Sequence, residues 1–428
     1  MYQLTNVALS TGGITDILID GSKITRIGKG PSHFEFINAL GLLAVPGPID
    51  PHVHFRVPGG KYKEDWKTGQ MAALRGGVTT VFDMPNTWPP LTTAEGVKRK
   101  LGCITKPIML NFRFWFGATS NNLVEIRKIA NDSNLKQYIV GVKVFMGSST
   151  GDLLVTDEKI LRNIFRVCVE CDFVVAVHAE NEEVIRRNRI DLSQQPLISD
   201  HSLIRDTESE VVSVVKALRL QKETGCKLYF CHLSTPEAVK LAKEAKDRGA
   251  EVYVEVSPHH LWLTDEKLLS FDGALFKINP PLRSRMQVER LREFLCEDGF
   301  IDTVGSDHAP HTLREKLDSF DYDQIPSGVP GVQTLLSLIF NFVSEGRMSL
   351  ERFIDLTSKN AARIFGLKGE GEIAVGNNAN LVLIDPNREM SFSHGDMASK
   401  CKWTPYHGMK AKGVPVAVVS FGKFMKIN

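Results

Sequence analysis

The stretch "PIDPHVHFRVPGG", residues 48–60, places two histidines one residue apart and an arginine two residues further on. In an extended strand, side chains at positions i and i+2 point to the same face, so His52 and His54 would project together. Two imidazoles in this spacing can bind a metal ion, although a hydrogen-bonded pair of core histidines gives the same pattern. Continuing the strand period puts Arg56 on the same face, where a metal would repel it. The arginine therefore needs a separate explanation.

Other polar residues stand at the ends of apolar runs. His178 ends "FVVAVH", His232 ends "KLYFCH", and Asp307 lies in "VGSDHAP". A buried imidazole without a partner is unfavourable, so histidines in these positions indicate a ligand. With His52 and His54, these residues predict a site for a borderline cation such as Zn2+.

Lys143 lies in "YIVGVKVFMG", where its neighbours are apolar residues and glycine. A buried ammonium without a partner is unfavourable, and its pKa would fall. In most barrels such a lysine reaches solvent or pairs with a carboxylate. At the depth of the metal ligands, however, a neutral amine could react with CO2 to form a carbamate, which is an anion able to bridge two cations.

The elements that carry these residues are short apolar runs alternating with stretches of helical period such as "SEVVSVVKALRLQKE". The predicted strands are "GPIDPHVHF", "VTTVFDMPN", "PIMLNFRFWFG", "YIVGVKVFMG", "FVVAVHAEN", "KLYFCHLS", "EVYVEVSPHH" and "IDTVGSDHAP". Eight βα units predict an α/β fold, a (β/α)8 TIM-like barrel with its site at the carboxyl ends of the strands. A doubly wound open sheet would also place ligands there, but no G-x-G-x-x-G or Walker loop supports it.

The sequence pattern at both ends of the chain differs from that of the middle. Short strand-like runs separated by turns occur in "YQLTNVALS" and "DILID", and again in "ANLVLIDP" and "VAVVSFGKFMKI". We therefore expect one small β-sandwich built from residues 1–46 and 367–428, with the barrel over residues 47–366 inserted between them.

Composition excludes several classes of function. The chain has 428 residues and a net charge of +2, which gives no reason to expect nucleic acid or an anionic membrane as a partner. No apolar run approaches the length of a membrane span, and the N-terminus lacks the pattern of a signal peptide. Seven scattered cysteines fit a reducing compartment, so the expected location is cytoplasmic.

The placement of these residues resembles the amidohydrolase superfamily. That superfamily has H-x-H on the first barrel strand, a carbamylated lysine on the fourth, histidines on the fifth and sixth, and an aspartate on the eighth. The motifs "HFRVPG", "GGVTTVFDMPNT", "INPPLR" and "SDHAPH" are similar to those of its dihydroorotases. With "GVKVFMG" the chain resembles the kind that carries the bridging lysine rather than an aspartate.

The resemblance implies two zinc ions per subunit with a hydroxide between them. One would be held by His52, His54, Lys143 as N6-carboxylysine and Asp307, and the other by Lys143, His178 and His232. Asp307 would also be the general acid and base. The substrate carboxylate would contact Arg56, Asn86 and His308, the ring would contact Asn279, Ser327 and Gly328, and His54 would also face the substrate.

The implied activity is the reversible cyclisation of N-carbamoyl-L-aspartate to (S)-dihydroorotate in de novo pyrimidine (UMP) biosynthesis. Dihydropyrimidinases (hydantoinases) and allantoinases share the metal positions, but their substrates lack the carboxylate that Arg56 and Asn86 would bind. A non-catalytic scaffold is a third alternative, although such relatives typically lose metal ligands that this chain keeps. We expect a homodimer, and docking on an aspartate transcarbamoylase is left open.

Overall fold

The computed structural model describes residues 1–30, 34–149, 153–192 and 195–427. Within these ranges the strands form two sheets of eight strands each. The barrel sheet contains β6 (Ile49–Val53), β7 (Thr80–Asp83), β8 (Asn111–Gly117), β9 (Ile139–Phe145), β10 (Val174–His178), β11 (Leu228–Phe230), β12 (Val252–Val256) and β13 (Thr303–Val304). All the strands predicted for the barrel are present, each shorter than the apolar run that predicted it.

The barrel strands pair in parallel with their neighbours in chain order. The first and last strands meet through a parallel bridge between Val53 and His308. The backbone N–H of His54 also donates to the carbonyl of His308 at 2.8 Å. The sheet therefore closes on itself, which confirms the predicted (β/α)8 class.

Helices fill the connections between the strands. They are α1 (Trp66–Arg75), α2 (Ala94–Gly102), α3 (Leu123–Asn131), α4 (Ser133–Lys136), α5 (Glu158–Glu170), α6 (Glu182–Leu192), α7 (His201–Ile204), α8 (Thr207–Thr224), α9 (Pro236–Asp247), α10 (Pro258–Trp262), α11 (Arg285–Cys296), α12 (Leu313–Leu317), α13 (Leu335–Ser344), α14 (Leu350–Ile354) and α15 (Asn360–Ile364). A π-helical turn over Asp355–Lys359 joins α14 to α15. Aspartate side chains cap α1, α5 and α8, where they accept free backbone N–H groups. None of the described helices has the length and apolar character needed to cross a membrane.

The second sheet is built from both ends of the chain, as predicted. Its strands are β1 (Tyr2–Leu9), β2 (Ile14–Asp20), β3 (Lys23–Ile27), β4 (Glu35–Asn38), β5 (Leu43–Pro46), β14 (Leu381–Ser391), β15 (Lys410–Ser420) and β16 (Lys423–Lys426). β5 joins the two halves, because it pairs in parallel with β1 and antiparallel with β14. The division of the chain into domains at residues 46 and 366 stays a prediction.

The interior of the barrel has an apolar part and a polar part. On β10, Val174, Ala176 and His178 lie on one face, and the first two pack in a cluster with Phe82 and Trp115. These large side chains fill the interior of the barrel. The polar residues at the carboxyl ends of the strands therefore pack on an apolar layer, which excludes water from the amino-terminal side of the barrel.

The contact between the second sheet and the barrel gives a test of this packing. Gly413 on β15 has φ +80°, and a Cβ there would lie 2.0 Å from Cδ1 of Phe340 on α13. We expect Gly413→Ala to lower the free energy of unfolding by about 3 kcal/mol, from backbone strain and overpacking together. Urea denaturation followed by circular dichroism measures the change.

Gly376→Ala is the matched control. Gly376 has φ +91°, but a Cβ there would meet nothing within 4 Å. It should lower the free energy of unfolding by only about 1 kcal/mol, from backbone strain alone. Equal losses in the two variants would show that α13 does not pack tightly against β15.

Candidate metal centre and substrate cavity

A narrow cavity opens at the carboxyl ends of the barrel strands. Its walls are formed by His52, His54, Arg56, Asn86, Phe145, Ser149, His178, His232, Asn279, Asp307, Ala309, Ser327 and Gly328. All the site residues predicted from the sequence line this cavity except Lys143 and His308. The tertiary structure therefore brings together residues that lie up to 276 positions apart in the chain.

One group of possible metal ligands surrounds Asp307. Nε2 of His52 lies 3.3 Å and Nε2 of His54 lies 3.1 Å from Oδ1 of Asp307. Burial would raise the pKa of Asp307, but His52 and His54 hold it well below its usual value. Burial would likewise lower the pKa of His52, but Glu255 and Asp307 outweigh it and raise the pKa to about 10. The negative surroundings that favour a proton on His52 also favour a metal cation in its place.

A second group pairs His178 with His232. Nδ1 of His178 lies 3.2 Å from Nε2 of His232, so at most one proton fits between the two rings. Burial lowers the pKa of both imidazoles, that of His232 strongly, and Lys143 adds to the effect in each case. Neutral imidazoles with facing nitrogens can donate lone pairs to a cation between them.

Carboxylates behind the rings fix their orientation. Nδ1 of His52 lies 2.8 Å from Oε1 of Glu255, and Oε2 of Glu255 accepts from the Tyr229 hydroxyl at 2.8 Å. Nε2 of His178 lies 2.8 Å from Oε2 of Glu180, which forms an ion pair with Arg205. Such partners turn the free ring nitrogen toward a metal and raise its basicity. The sequence analysis missed Glu180 and Glu255, although Glu180 lies only two residues after His178.

Lys143 lies behind the cavity wall on β9. Its side chain is fully buried, and its Nζ has no hydrogen-bond partner among the residues that the structure describes. The ring centroid of Phe145 lies 5.2 Å from Nζ. A buried ammonium with no partner is strongly unfavourable. This orphaned nitrogen, together with the nitrogen and oxygen donors around it, fits a site that binds metal.

Three of the lining residues have backbone conformations that only glycine adopts easily. Arg56 has φ +59°, His232 has φ +36° and Asp307 has φ +43°. Each such residue costs about 1–2 kcal/mol, so the surrounding structure must enforce it. The carboxylate of Asp50 does so in part, because it accepts the backbone N–H of His52 at 3.1 Å and that of Ser306 at 3.0 Å.

Arg56 reaches the cavity by a route that differs from the prediction. β6 ends at Val53, and the left-handed turn at Arg56 breaks the strand period that was expected to continue to it. Arg56 is 6% exposed, and its Nε donates to the carbonyl of Pro310 at 3.3 Å. No carboxylate of the described residues lies within ion-pair distance of it. The cavity therefore contains a buried cation that forms no ion pair with the residues that the structure describes.

His308, whose contact with the substrate carboxylate stays a prediction, is not among the residues that line the cavity. Its Nε2 lies 3.2 Å from Oε2 of Glu64, and its Nδ1 accepts the backbone N–H of Gly331 at 3.1 Å. Both ring nitrogens are therefore engaged outside the cavity. In this arrangement His308 supports the loop that carries it.

His311, to which the sequence analysis gave no role, lies against Arg56 instead. Its Nε2 is 3.1 Å from Nη2 of Arg56 and 3.1 Å from the carbonyl of Ser327. Burial, with Arg56, Lys63 and Lys316 nearby, holds the pKa of His311 well below its usual value, so the ring stays neutral. The sequence signal was the second histidine of "SDHAPH", but nothing in the motif tells which of the two faces Arg56.

The remaining wall is made of polar groups from two loops. Oδ1 of Asn279 has no hydrogen-bond partner among the described residues. Gly328 has φ +137°, and a Cβ there would lie 2.6 Å from the carbonyl oxygen of Ala309, so only glycine fits. The backbone N–H of Gly328 donates to the carbonyl of Lys277 at 2.9 Å and is already used. Gly328 therefore contributes a position without a side chain, and its backbone N–H is not available to a ligand.

Comparison with known proteins fits this site. The family model "Amidohydrolase family" matches residues 43–425. The dihydroorotase of Halobacterium salinarum is 36% identical over 412 residues, which cover 95% of this chain and 92% of the relative. The dihydroorotase of Methanosarcina acetivorans is 37% identical over 415 residues, which cover 92% of this chain and 85% of the relative.

Solved structures give a second comparison. The L-hydantoinase (dihydropyrimidinase) of Arthrobacter aurescens superposes with a TM-score of 0.92 at 30% identity, covering 99% of this chain and 96% of the other. The dihydropyrimidinase of Brevibacillus agri gives a TM-score of 0.90 at 29% identity, covering 100% and 95%.

The two comparisons agree on the family and imply a metal, for which His52, His232 and Asp307 offer ligand atoms within 4.8 Å of one another. Between the two named activities, the sequence relatives carry more weight, since they are more similar to this chain than the solved hydantoinases are. The chain therefore belongs to the amidohydrolase family and, within it, to the dihydroorotases.

Proposed function

We propose that the protein catalyses the reversible cyclisation of N-carbamoyl-L-aspartate to (S)-dihydroorotate and water, a reaction of de novo pyrimidine (UMP) biosynthesis. The observation that carries the proposal is the buried guanidinium of Arg56, which lines the same cavity as the histidine cluster and lacks a carboxylate partner among the described residues. Dihydroorotate bears a carboxylate, whereas dihydrouracil and allantoin do not. A buried cation without an anion favours the charged substrate.

The metal proposed for this site is zinc, with two ions per subunit. His52, His54 and Asp307 would hold one ion, and His178 and His232 the other. Lys143, carbamylated to N6-carboxylysine, would supply a carboxylate shared by both. The orphaned Nζ of Lys143 and the facing nitrogens of His178 and His232 support this arrangement. When bound, zinc supplies Lewis-acid activation of the substrate carbonyl and of water.

The chain's own residues position the substrate and move its proton. Asp307 has a pKa held well below its usual value by His52 and His54, so it is ionised and can accept a proton. In the hydrolytic direction it would take the proton from the attacking water and give it to the departing ring nitrogen. In the biosynthetic direction it would accept the proton of the attacking carbamoyl nitrogen.

Substrate orientation would depend on the other end of the cavity. Arg56 would bind the carboxylate together with Asn86, whose Oδ1 lies 2.8 Å from Nδ1 of His54. Asn279 would accept a ring N–H through its Oδ1, and the loop of Ser327 and Gly328 would enclose the ring. Holding both ends of a flexible chain brings its reacting atoms together and removes much of the entropic barrier to ring closure.

We also propose a cytoplasmic location and a homodimeric assembly. The seven cysteines are all free thiols, which is consistent with a reducing compartment. Size-exclusion chromatography with light scattering tests the assembly.

Arg56→Met tests the assignment of substrate. It removes the cation but keeps a side chain of similar length, so KM for dihydroorotate should rise by about 30-fold or more. Metal content by elemental analysis should not change. Turnover of dihydrouracil and allantoin by the wild type is the comparison, and a wild-type preference for either uncharged ring would overturn the proposed function.

Lys143→Ala tests the bridging carbamate. Loss of the shared anion should lower kcat by about 1,000-fold or more and reduce the bound metal. Acetate or propionate added to this variant should restore part of the activity, because a free carboxylate can occupy the vacated space. Wild-type activity in the variant would show that Lys143 carries no ligand.

Glu255→Gln tests whether the orientation of His52 matters for metal binding. The variant weakens the acceptor that faces Nδ1 of His52, and metal affinity should fall by about 10- to 100-fold in competition with a chelator. Tyr229→Phe is the control, because it keeps the carboxylate and removes the hydrogen bonds of the Tyr229 hydroxyl to the other oxygen of Glu255 and to Thr303. An equal loss in both variants would mean that the carboxylate acts through general packing.

A further inference from the structure

Part of the cavity wall is formed by two segments that belong to no helix or strand. Lys277–Asn279 carries the free Oδ1 of Asn279, and Pro326–Val329 carries Ser327 and Gly328. We call these the two rim segments. They meet through one backbone hydrogen bond, from the N–H of Gly328 to the carbonyl of Lys277. A wall held by one such bond would not keep Asn279 in a fixed position.

The side chain of Lys316 lies between the rim segments. Lys316 is on α12 and fully buried. Its Nζ donates to the carbonyl of Lys277 at 3.0 Å, to that of Pro326 at 2.9 Å and to that of Gly328 at 3.3 Å. An ammonium has three N–H donors, and three carbonyls from the two rim segments receive them.

Lys316 differs in this from the buried cations that have a carboxylate partner. Lys100 pairs with Asp83 at 2.7 Å, and Arg205 pairs with Glu180. No carboxylate of the described residues lies within ion-pair distance of Lys316. Burying a charge against carbonyls alone is costly. A leucine or methionine would fill the same space more cheaply, so the ammonium is explained by the carbonyls that it holds.

The loop that precedes the rim segment Pro326–Val329 also forms contacts with the rim segment Lys277–Asn279. Nζ of Lys277 donates to the carbonyl of Ile325 at 2.8 Å and lies 3.9 Å from the ring centroid of Tyr322. The ring nitrogens of His201 contact the Tyr322 hydroxyl and the carbonyl of Ile278, both at 2.8 Å. Of these contacts, the hydrogen bonds of Lys316 reach the residues that line the cavity.

We propose that Lys316 is a positioning residue for substrate binding. Its ammonium fixes the spacing of the two rim segments and so places Asn279, Ser327 and Gly328 around the substrate ring, without touching the substrate. The proposal rests on the proposed function for the identity of the substrate. Because the rim segments contain none of the metal ligands, loss of Lys316 should weaken substrate binding and leave the metal in place.

Lys316→Met tests this role. Its expected effect is a rise in KM for dihydroorotate of about 10-fold, with a smaller change in kcat, since the carbonyls lose their donors and the rim segments separate. Metal content by elemental analysis should equal that of the wild type. An unchanged KM in folded Lys316→Met would overturn the proposal, as would loss of metal.

Lys246→Met is the control for loss of a lysine that binds carbonyls. Nζ of Lys246 donates to the carbonyls of Gly299 and Phe300 at 3.2 Å and 3.1 Å, just before the start of β13 and away from the cavity, and it also forms an ion pair with Asp302. Both variants should lower the melting temperature, but only Lys316→Met should raise KM. A rise in KM in both would indicate a general effect of stability and overturn the specific role.

A milder variant covers the case in which Lys316→Met does not fold. Lys316→Gln keeps an amide NH2 group, so it should raise KM less than the methionine does; an unchanged KM in this folded variant would overturn the proposal. If the wild type prefers an uncharged cyclic amide, the proposed function fails, but KM for that amide still tests Lys316. The two failures are therefore distinguishable.

Discussion

The site depends on the closure of the barrel between its first and last strands. The bridge from Val53 to His308 and the carboxylate of Asp50, which binds the backbone of both strand ends, join residues more than 250 positions apart. Closure brings His52 and His54 within 3.3 Å of Asp307. Without this contact the H-x-H pair and the aspartate would face solvent at two separate sheet edges. The chemistry of the protein is therefore a consequence of parallel pairing in the correct register.

Buried charges in the described part of the chain are compensated in different ways. Arg283 pairs with Glu210 at 3.7 Å, whereas Lys316 is bound by backbone carbonyls. At the cavity, Arg56 and Lys143 have no carboxylate partner among the residues that the structure describes. A fold keeps such groups only if something else compensates for them, because an isolated buried charge is strongly destabilising. In the proposed function, a substrate carboxylate would compensate for Arg56, and a carbamate shared by two metal ions would replace the ammonium of Lys143.

Strained backbone conformations also lie at the carboxyl ends of the barrel strands. Arg56, His232 and Asp307 adopt left-handed conformations, and each directs its side chain into the cavity from a strand end where regular pairing has stopped. Around them the loops are held by single polar groups, as Glu64 holds His308 and Lys316 holds the rim segments. Side chains fixed in this way lose little entropy when a ligand binds, which favours precise orientation.

The sequence by itself determined the barrel, the contribution of both chain ends to one sheet, and most of the cavity lining. Short apolar runs of period two mark strands wherever they are buried, and a polar residue at the end of such a run is costly enough to be informative. The His52 and His54 pair, His178, His232, Asp307 and the anomalous Lys143 were readable for that reason. Domain boundaries and ligand roles carried no such signal and remain predictions.

Only the tertiary structure decided what the loops do. The two-residue strand period ends at Val53, so it does not predict the left-handed turn at Arg56. The motif "SDHAPH" likewise does not indicate that His311 rather than His308 faces that arginine. Glu255 and Lys316 act through partners from distant parts of the chain. Periodicity records whether a residue is buried, whereas the partner of a buried polar group depends on which loops meet once the barrel has closed.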